Sequence, residues 1–217
     1  MRAPLIEVRD LYVRAGEGET VRGVSFTLSR GEVYAVLEAV AGSGATTLLE
    51  AVAGLRRPVS GTVRVGGADP YEHRDAVRSG AVWREGGLFP GLTVAEVVDA
   101  WRRWTLDPLT RDEALALTGL AGLADVRFER LGPGERRLLD VALALVARSD
   151  VLYLDGPTAG LGGADAARVW DVLRLIAAHG TAVLVATGDP AEAARADRVG
   201  VLARGRLAGR LAGPAAA

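Results

Sequence analysis

Val36-Leu-Glu-Ala-Val-Ala-Gly-Ser-Gly-Ala-Thr-Thr47 is the stretch on which the reading of this chain turns. Val33 to Leu37 is continuously apolar, as a strand buried on both faces should be. Ala39 to Gly44 is a loop of small residues, and Thr46 to Leu55 has helical character. A turn from buried strand to helix is where a phosphate-cradling loop belongs, because glycines there let backbone N–H groups face an anion. The pattern G-x-x-x-x-G-K-[ST] is not met: its first glycine falls on Ala39, its last on Gly44, its lysine on Ala45 and its hydroxyl on Thr46. The residues alone leave two readings, an altered phosphate loop or a plain strand-to-helix turn with Thr46 as its N-cap.

Working outward, residues 5–14 nearly alternate, Val24, Phe26 and Leu28 share a face, and Gly61 to Gly67 reads as a short strand closed by glycines. From about residue 92 the chain becomes helical. Thr93-Val-Ala-Glu96 has the form of a capping box. Gly134 to Ala147 is an amphipathic helix with Leu138, Ala142, Leu145 and Val146 on one face and Arg137, Asp140 and Arg148 opposite. Val151 to Leu154 is a buried strand ending in Asp155, and Ala164 to Ala178 a helix. Thr181 to Thr187 is a strand, Ala191 to Asp197 a short helix, and Val199 to Leu207 a terminal strand pair. Strand–helix–strand alternation around a helical block predicts an α/β parallel sheet with two lobes. The Ala-Gly-Pro-Ala-Ala-Ala end is expected to fray.

Composition removes several chemistries. Among 217 residues there is no Cys, which excludes disulfides, thiolate catalysis and cysteine-bound zinc. No Lys, Asn or Gln occurs either, so all 26 basic residues are Arg. His73 and His179 are the only histidines and read as surface residues. A net charge of −1 argues against nucleic acid as a partner, and Arg102-Arg103 between two tryptophans does not outweigh it. No run of about 18 apolar residues and no signal-peptide block is present, which predicts a cytoplasmic protein.

The order and spacing of further blocks carry a resemblance. Thr46-Thr-Leu-Leu-Glu-Ala-Val-Ala-Gly-Leu55 is followed by Pro58-Val-Ser-Gly-Thr-Val-Arg-Val-Gly-Gly67. Leu131-Gly-Pro-Gly-Glu-Arg-Arg137 leads its helix, and Val151-Leu-Tyr-Leu-Asp-Gly-Pro-Thr-Ala-Gly-Leu161 comes next. From about residue 5 to residue 209 the chain resembles the ATP-binding cassette (ABC) family of transporter ATPase subunits. The resemblance implies a P-loop NTPase-like (RecA-like) parallel-sheet core with an N-terminal antiparallel β subdomain and an inserted helical subdomain. It implies one nucleotide-binding domain over 1–217: core 1–87 with 148–210, helical part 88–147, flexible tail 211–217.

Carried over residue by residue, the family's functional positions are largely replaced. The phosphate-binding lysine falls on Ala45, the glutamine that contacts metal and water on Arg84, the catalytic glutamate on Gly156 and the switch histidine on Gly188. The aspartate after the Ala-Gly-Leu stretch falls on Gly162. The signature loop is Leu131, Gly132, Pro133, Gly134 and Glu135, without its serine and with a proline that lacks an N–H. The adenine-stacking aromatic falls near Ala15, with Tyr12 close by. What remains is the amide cradle of Gly42, Ser43, Gly44, Ala45, Thr46 and Thr47, and the metal pair Thr46 and Asp155.

Phosphoryl transfer depends on positioning and charge stabilisation, so these losses predict little or no ATP hydrolysis, and ATP and Mg²⁺ binding weak or absent. Glu38, beneath the phosphates, would repel nucleotide, and Arg84 is placed to neutralise Glu38 or Asp155. The resemblance further implies transmembrane transporter subunits as partners, a homodimer or a heterodimer with an active sister subunit, and a peripheral place on the inner membrane face. Trp83, Leu88, Phe89, Trp101 and Trp104 are candidates for the groove that grips the membrane subunit, or for local core. A non-transport scaffold on the same fold and an ordinary transporter ATPase are the competing readings.

Overall fold

The structure is a computed structural model that describes residues 4–16 and 18–212. Strands β1 (Ile6–Ala15), β2 (Gly18–Leu28) and β4 (Ser60–Val65) form an antiparallel sheet in the order β2-β1-β4, matching the alternation of residues 5–14. A second sheet has the order β5-β6-β7-β3-β8-β9. It comprises β3 (Val33–Glu38), β5 (Ser79–Val82), β6 (Val151–Asp155), β7 (Ala182–Thr187), β8 (Arg198–Ala203) and β9 (Arg206–Ala212). Its strands run parallel except β9, which is antiparallel to β8.

The continuous apolar runs are explained by two cores, one on each face of this sheet. Tyr34 and Val36 of β3 pack with Leu48, Leu49 and Val52 of α1 (Ala45–Val52) and with Ile6, Val8 and Val63 of the smaller sheet. Val33, Ala35 and Leu37 face the other way. They join Leu138 and Leu139 of α4 (Pro133–Leu145) and Val169, Trp170 and Leu173 of α5 (Gly163–Ala178). The period-2 pleat therefore divides one strand between two hydrophobic layers. Each fully buried leucine contributes roughly 1.5–3 kcal/mol.

Residues 88–147 hold α2 (Val94–Arg102), α3 (Arg111–Leu117) and α4, the first two opened by complete capping boxes at Thr93 and Thr110. Their apolar faces share one core with Val82, Leu152 and Leu154 of the sheet.

Four points differ at element level. Ser79–Val82, to which the sequence pattern assigns no element, is the edge strand β5, and Gly80 is needed because a Cβ there would collide with Ala144 O of α4. The helix expected over 191–197 is the single turn α6 (Pro190–Ala193), because Asp197 is taken up by the backbone N–H of Val33. Helix α1 stops at Val52 rather than Leu55. Of the tail expected at 211–217, Leu211 and Ala212 belong to β9, and 213–217 lie outside the described residues.

Candidate functional site

In an open parallel sheet the carboxyl ends of the strands are where ligands collect. Here they bring Glu38 (end of β3), Asp155 (end of β6) and Thr187 (end of β7) to one edge. The loop from β3 then turns into α1 at Gly44, whose φ of +102° lies in the left-handed region. A Cβ at Gly44 would also sit 2.6 Å from Thr20 O, so this corner is closed to any other residue.

The first turn of α1 has free amides, and Glu38 takes two of them. Its Oε1 accepts from Gly44 N at 3.2 Å and Ala45 N at 3.4 Å. Ser43 is buried and its Oγ is spent on the backbone of Val40. Thr46 Oγ1 donates to Asp155 Oδ2 at 2.9 Å, so the expected pair is brought together. Thr47 is buried behind it. Gly42 is exposed, with φ +80°.

Arg84 reaches the same carboxylate from beyond β5. Its Nη2 lies 3.8 Å from Asp155 Oδ1, so of the two partners considered for it Asp155 is the one engaged. Arg84 also lies over Gly156: a Cβ built there meets Arg84 Nε at 3.6 Å and Cζ at 3.8 Å. At 60% side-chain exposure this pair adds little stability; its interest is positional. A Cβ at Gly188 would meet nothing within 4 Å, so that position lacks a side chain without being crowded.

These residues wall an open hollow of about 500 Å³, lined by Glu38, Arg84, Gly156, Thr158, Gly188, Asp189 and Glu192 among others. Thr187 Oγ1 donates to Glu192 Oε2 at 2.9 Å, and Asp189 Oδ1 caps Ala191 N at 2.8 Å. Thr158 Oγ1 is buried and, among the described residues, has no hydrogen-bond partner.

The signature residues do not line this hollow. Leu131 is buried in the core. Pro133 opens α4 at a position where the missing N–H costs nothing. Glu135 Oε2 accepts from Gly132 N at 2.8 Å, and Gly134 is pressed against Asp165, whose Cγ is 2.6 Å from a would-be Cβ. Gly162 caps α5 with open space around it. Near Ala15, Tyr12 does not stand free: Gly23 packs on its ring, and a Cβ there would lie 3.0 Å from Tyr12 Oη.

Arg137 is the residue that sequence reasoning misplaced. It is not on a solvent face but buried, donating from Nη1 to Trp83 O at 2.8 Å and from Nη2 to Arg84 O at 2.9 Å. One turn on, Asp140 Oδ1 accepts from Gly87 N at 3.1 Å. Burial raises the Asp140 carboxyl above its usual range, and the Gly87 N–H and Arg137 pull it partly back. Helix α4 thereby holds both ends of the loop that carries Arg84. A helical wheel shows which residues share a face, not that residues 83–87 return to cover it.

Thr46 and Asp155 stand together where a nucleotide-bound metal would be held, with competing charges close by. The cradle amides already bind a carboxylate, a guanidinium stands beside Asp155, and no lysine exists. Among the described residues no group of three or more His, Asp or Glu side chains is disposed to hold a metal.

A second, apolar groove of about 340 Å³ lies between β5, α2 and α4, lined by Trp83, Phe89, Trp101, Asp140 and Ala144 among others. Phe89 packs edge-on against Phe128 and Trp101 with centroids 5.6 and 6.2 Å away. Leu88 and Trp104 are exposed outside it, and His73 and His179 are on the surface as expected. Among the described residues no helix is long and apolar enough to cross a membrane.

Residues 21–159 match the family model described as ABC transporter. An ABC transporter ATP-binding protein of Streptomyces avermitilis is 41% identical over 211 residues, covering 94% of this chain. The aligned part is 37% of that relative, so the chain spans little more than a third of its length. The cytochrome c biogenesis ATP-binding export protein of Agrobacterium fabrum is 36% identical over 191 residues, 85% of this chain and 89% of that protein. Among solved structures, cbiO1 of Clostridium perfringens, part of an ABC transporter complex, superposes with a TM-score of 0.85 at 25% identity. It covers 98% of this chain and 90% of that one.

Proposed function

The chain belongs to the ABC transporter family of ATP-binding subunits, and from that premise we propose that it is a member without ATP hydrolysis. The observation that carries this reading is Arg84, lying over Gly156 and 3.8 Å from Asp155. Hydrolysis needs a group that orients the attacking water and a cation that offsets developing phosphate charge. At this edge of the sheet the first role falls to Gly156 and Gly188, which have no side chain to offer. The Asp155 carboxylate is bonded to Thr46 and faced by a guanidinium. Arg137, gripping the carbonyls of residues 83 and 84, holds the backbone from which the Arg84 side chain extends.

In this reading the protein works with membrane-spanning subunits on the inner face of the cell membrane. It pairs with a second cassette, either a copy of itself or an active sister, and does not engage nucleic acid. The groove around Trp83, Phe89 and Trp101 is the surface offered to the membrane subunit, and ATP with Mg²⁺ is bound weakly or not at all.

Phosphate release by the purified chain under saturating Mg-ATP tests the proposal. The expected result is release no faster than a protein-free blank, unchanged by Thr46→Ala or Asp155→Ala. Turnover that either substitution abolishes would make the protein an ordinary transporter ATPase.

A further inference from the structure

We infer that Glu38 is a built-in anion that occupies the phosphate cradle and competes with nucleotide for it. The inference rests on the non-hydrolysing reading of the same site and states what has taken the ligand's place.

Helix α1 begins differently from the other helices. Helices α2 and α3 are capped by Thr93 and Thr110 with glutamates in their own first turns, α4 by Glu135, and α6 by Asp189. Each acceptor lies within the helix start it serves. Helix α5 also starts on a glycine, Gly162, without a side-chain cap, but it carries Asp165 in its first turn. Helix α1 has neither, since Gly44 offers no side chain and no acidic residue stands in the first turn. Its acceptor comes from outside the helix, at the end of β3, six and seven residues upstream of the amides it binds. The intervening loop folds so that the carboxylate faces the amides across the cradle, where an anionic ligand of a helix N-terminus would stand.

The surrounding charges favour the same assignment. The described lining of the hollow includes the carboxylates of Glu38, Asp189 and Glu192 against the single guanidinium of Arg84. The Thr187 hydroxyl is committed to Glu192. A polyphosphate entering the hollow meets like charge and must also displace Glu38 from Gly44 and Ala45. Two costs therefore act together: repulsion, which any carboxylate here would impose, and occupancy of the donors, which needs an acceptor atom at the position of Glu38 Oε1. Replacing the carboxylate by an amide separates them, because glutamine keeps the acceptor oxygen and loses the charge.

Calorimetric titration of the full chain with ATP, with and without Mg²⁺, and with pyrophosphate tests the inference on wild type, Glu38→Ala and Glu38→Gln. The expected order of affinity is Glu38→Ala above Glu38→Gln above wild type, with the alanine variant at least about tenfold tighter than wild type, since like-charge juxtaposition is costly. Equal affinities, or no binding by any of the three, overturns it. If thermal melts show that Glu38→Ala does not fold, the glutamine variant decides: binding no tighter than wild type has the same force. Phosphate release is followed in the same samples and separates the two claims. Turnover by the wild type refutes the non-hydrolysing reading, whereas unchanged affinity without turnover refutes only the role given to Glu38.

Discussion

Helices α1 and α4 both start on a glycine with a glutamate bound to the free amides, and they differ in where that glutamate comes from. At α4 it is Glu135, three residues inside the helix, closing on Gly132 N at 2.8 Å. At α1 it is Glu38, arriving from the end of a neighbouring strand at 3.2 and 3.4 Å. A short, local cap is what helix stability asks for. A long-range carboxylate spanning a loop of small residues is what a converted ligand site looks like. The same contrast extends to the arginines. Arg137 on α4 is buried and fully used in holding backbone, whereas Arg84 is mostly exposed and sits beside a carboxylate in an open hollow. The charged groups at α4 are spent on structure, and those at the start of α1 face an open hollow.

The contrast breaks first at Arg137. Arg137→Ala strips the partners from Trp83 O and Arg84 O and leaves Asp140 without its cation, so it should cost about 3–5 kcal/mol, the range for breaking a buried charged pair. Urea denaturation measures it; a loss below about 1 kcal/mol would place Arg137 on the surface after all. Next in size is ligand stabilisation. Pyrophosphate at a hundredfold excess over its Kd for Glu38→Ala should stabilise that variant by about 2.7 kcal/mol, and the wild type and Glu135→Ala by no more than about 1.4 kcal/mol. An equal rise in Tm for the wild type would erase the distinction between the two helix starts. Glu135→Ala itself should lose about 1 kcal/mol, the ordinary worth of a cap, with no gain in anion binding.

The smallest effect concerns pH. The backbone N–H of Thr93 and of Thr110, then their hydroxyls, hold Glu96 and Glu113 below the usual 4.5. The folded state therefore binds fewer protons at these sites, and their stabilisation, complete above pH 4.5, is lost as pH falls through the lowered values. Asp140 runs in the opposite sense. Raised above 3.8 by burial, it favours folding most below that pH and loses this contribution as pH rises through its folded value. Thr93→Val and Asp140→Asn should thus change the acid limb of a pH–stability curve in opposite directions, read by thermal melts from pH 3 to 6.

Most of the scaffold was legible in the chain because its strands bury both faces. Val33–Leu37, Val151–Leu154 and Ala182–Val185 admit no polar interruption. Strand β5 was not legible: Ser-Gly-Ala-Val has no strand signature, and its pairing with β6 on one side and α4 above it defines it. In the site, the pairing of Thr46 with Asp155 is what the family resemblance implies, and Asp155 is one of the two partners left open for Arg84. That Glu38 would bond to the cradle, rather than only repel from beneath it, depends on how Ala39 to Ser43 fold back, and no residue pattern encodes that. Arg137 was hidden for a similar reason, since its partners lie 53 and 54 residues away in sequence.

The amide resonances of Gly44 and Ala45 report directly on what fills the cradle. Titrated with Mg-ATP into the millimolar range, they should stay in place in the wild-type chain and move saturably in Glu38→Ala. Saturable movement of both resonances in the wild type at micromolar nucleotide would contradict the account, because the cradle would then bind its ligand with Glu38 present.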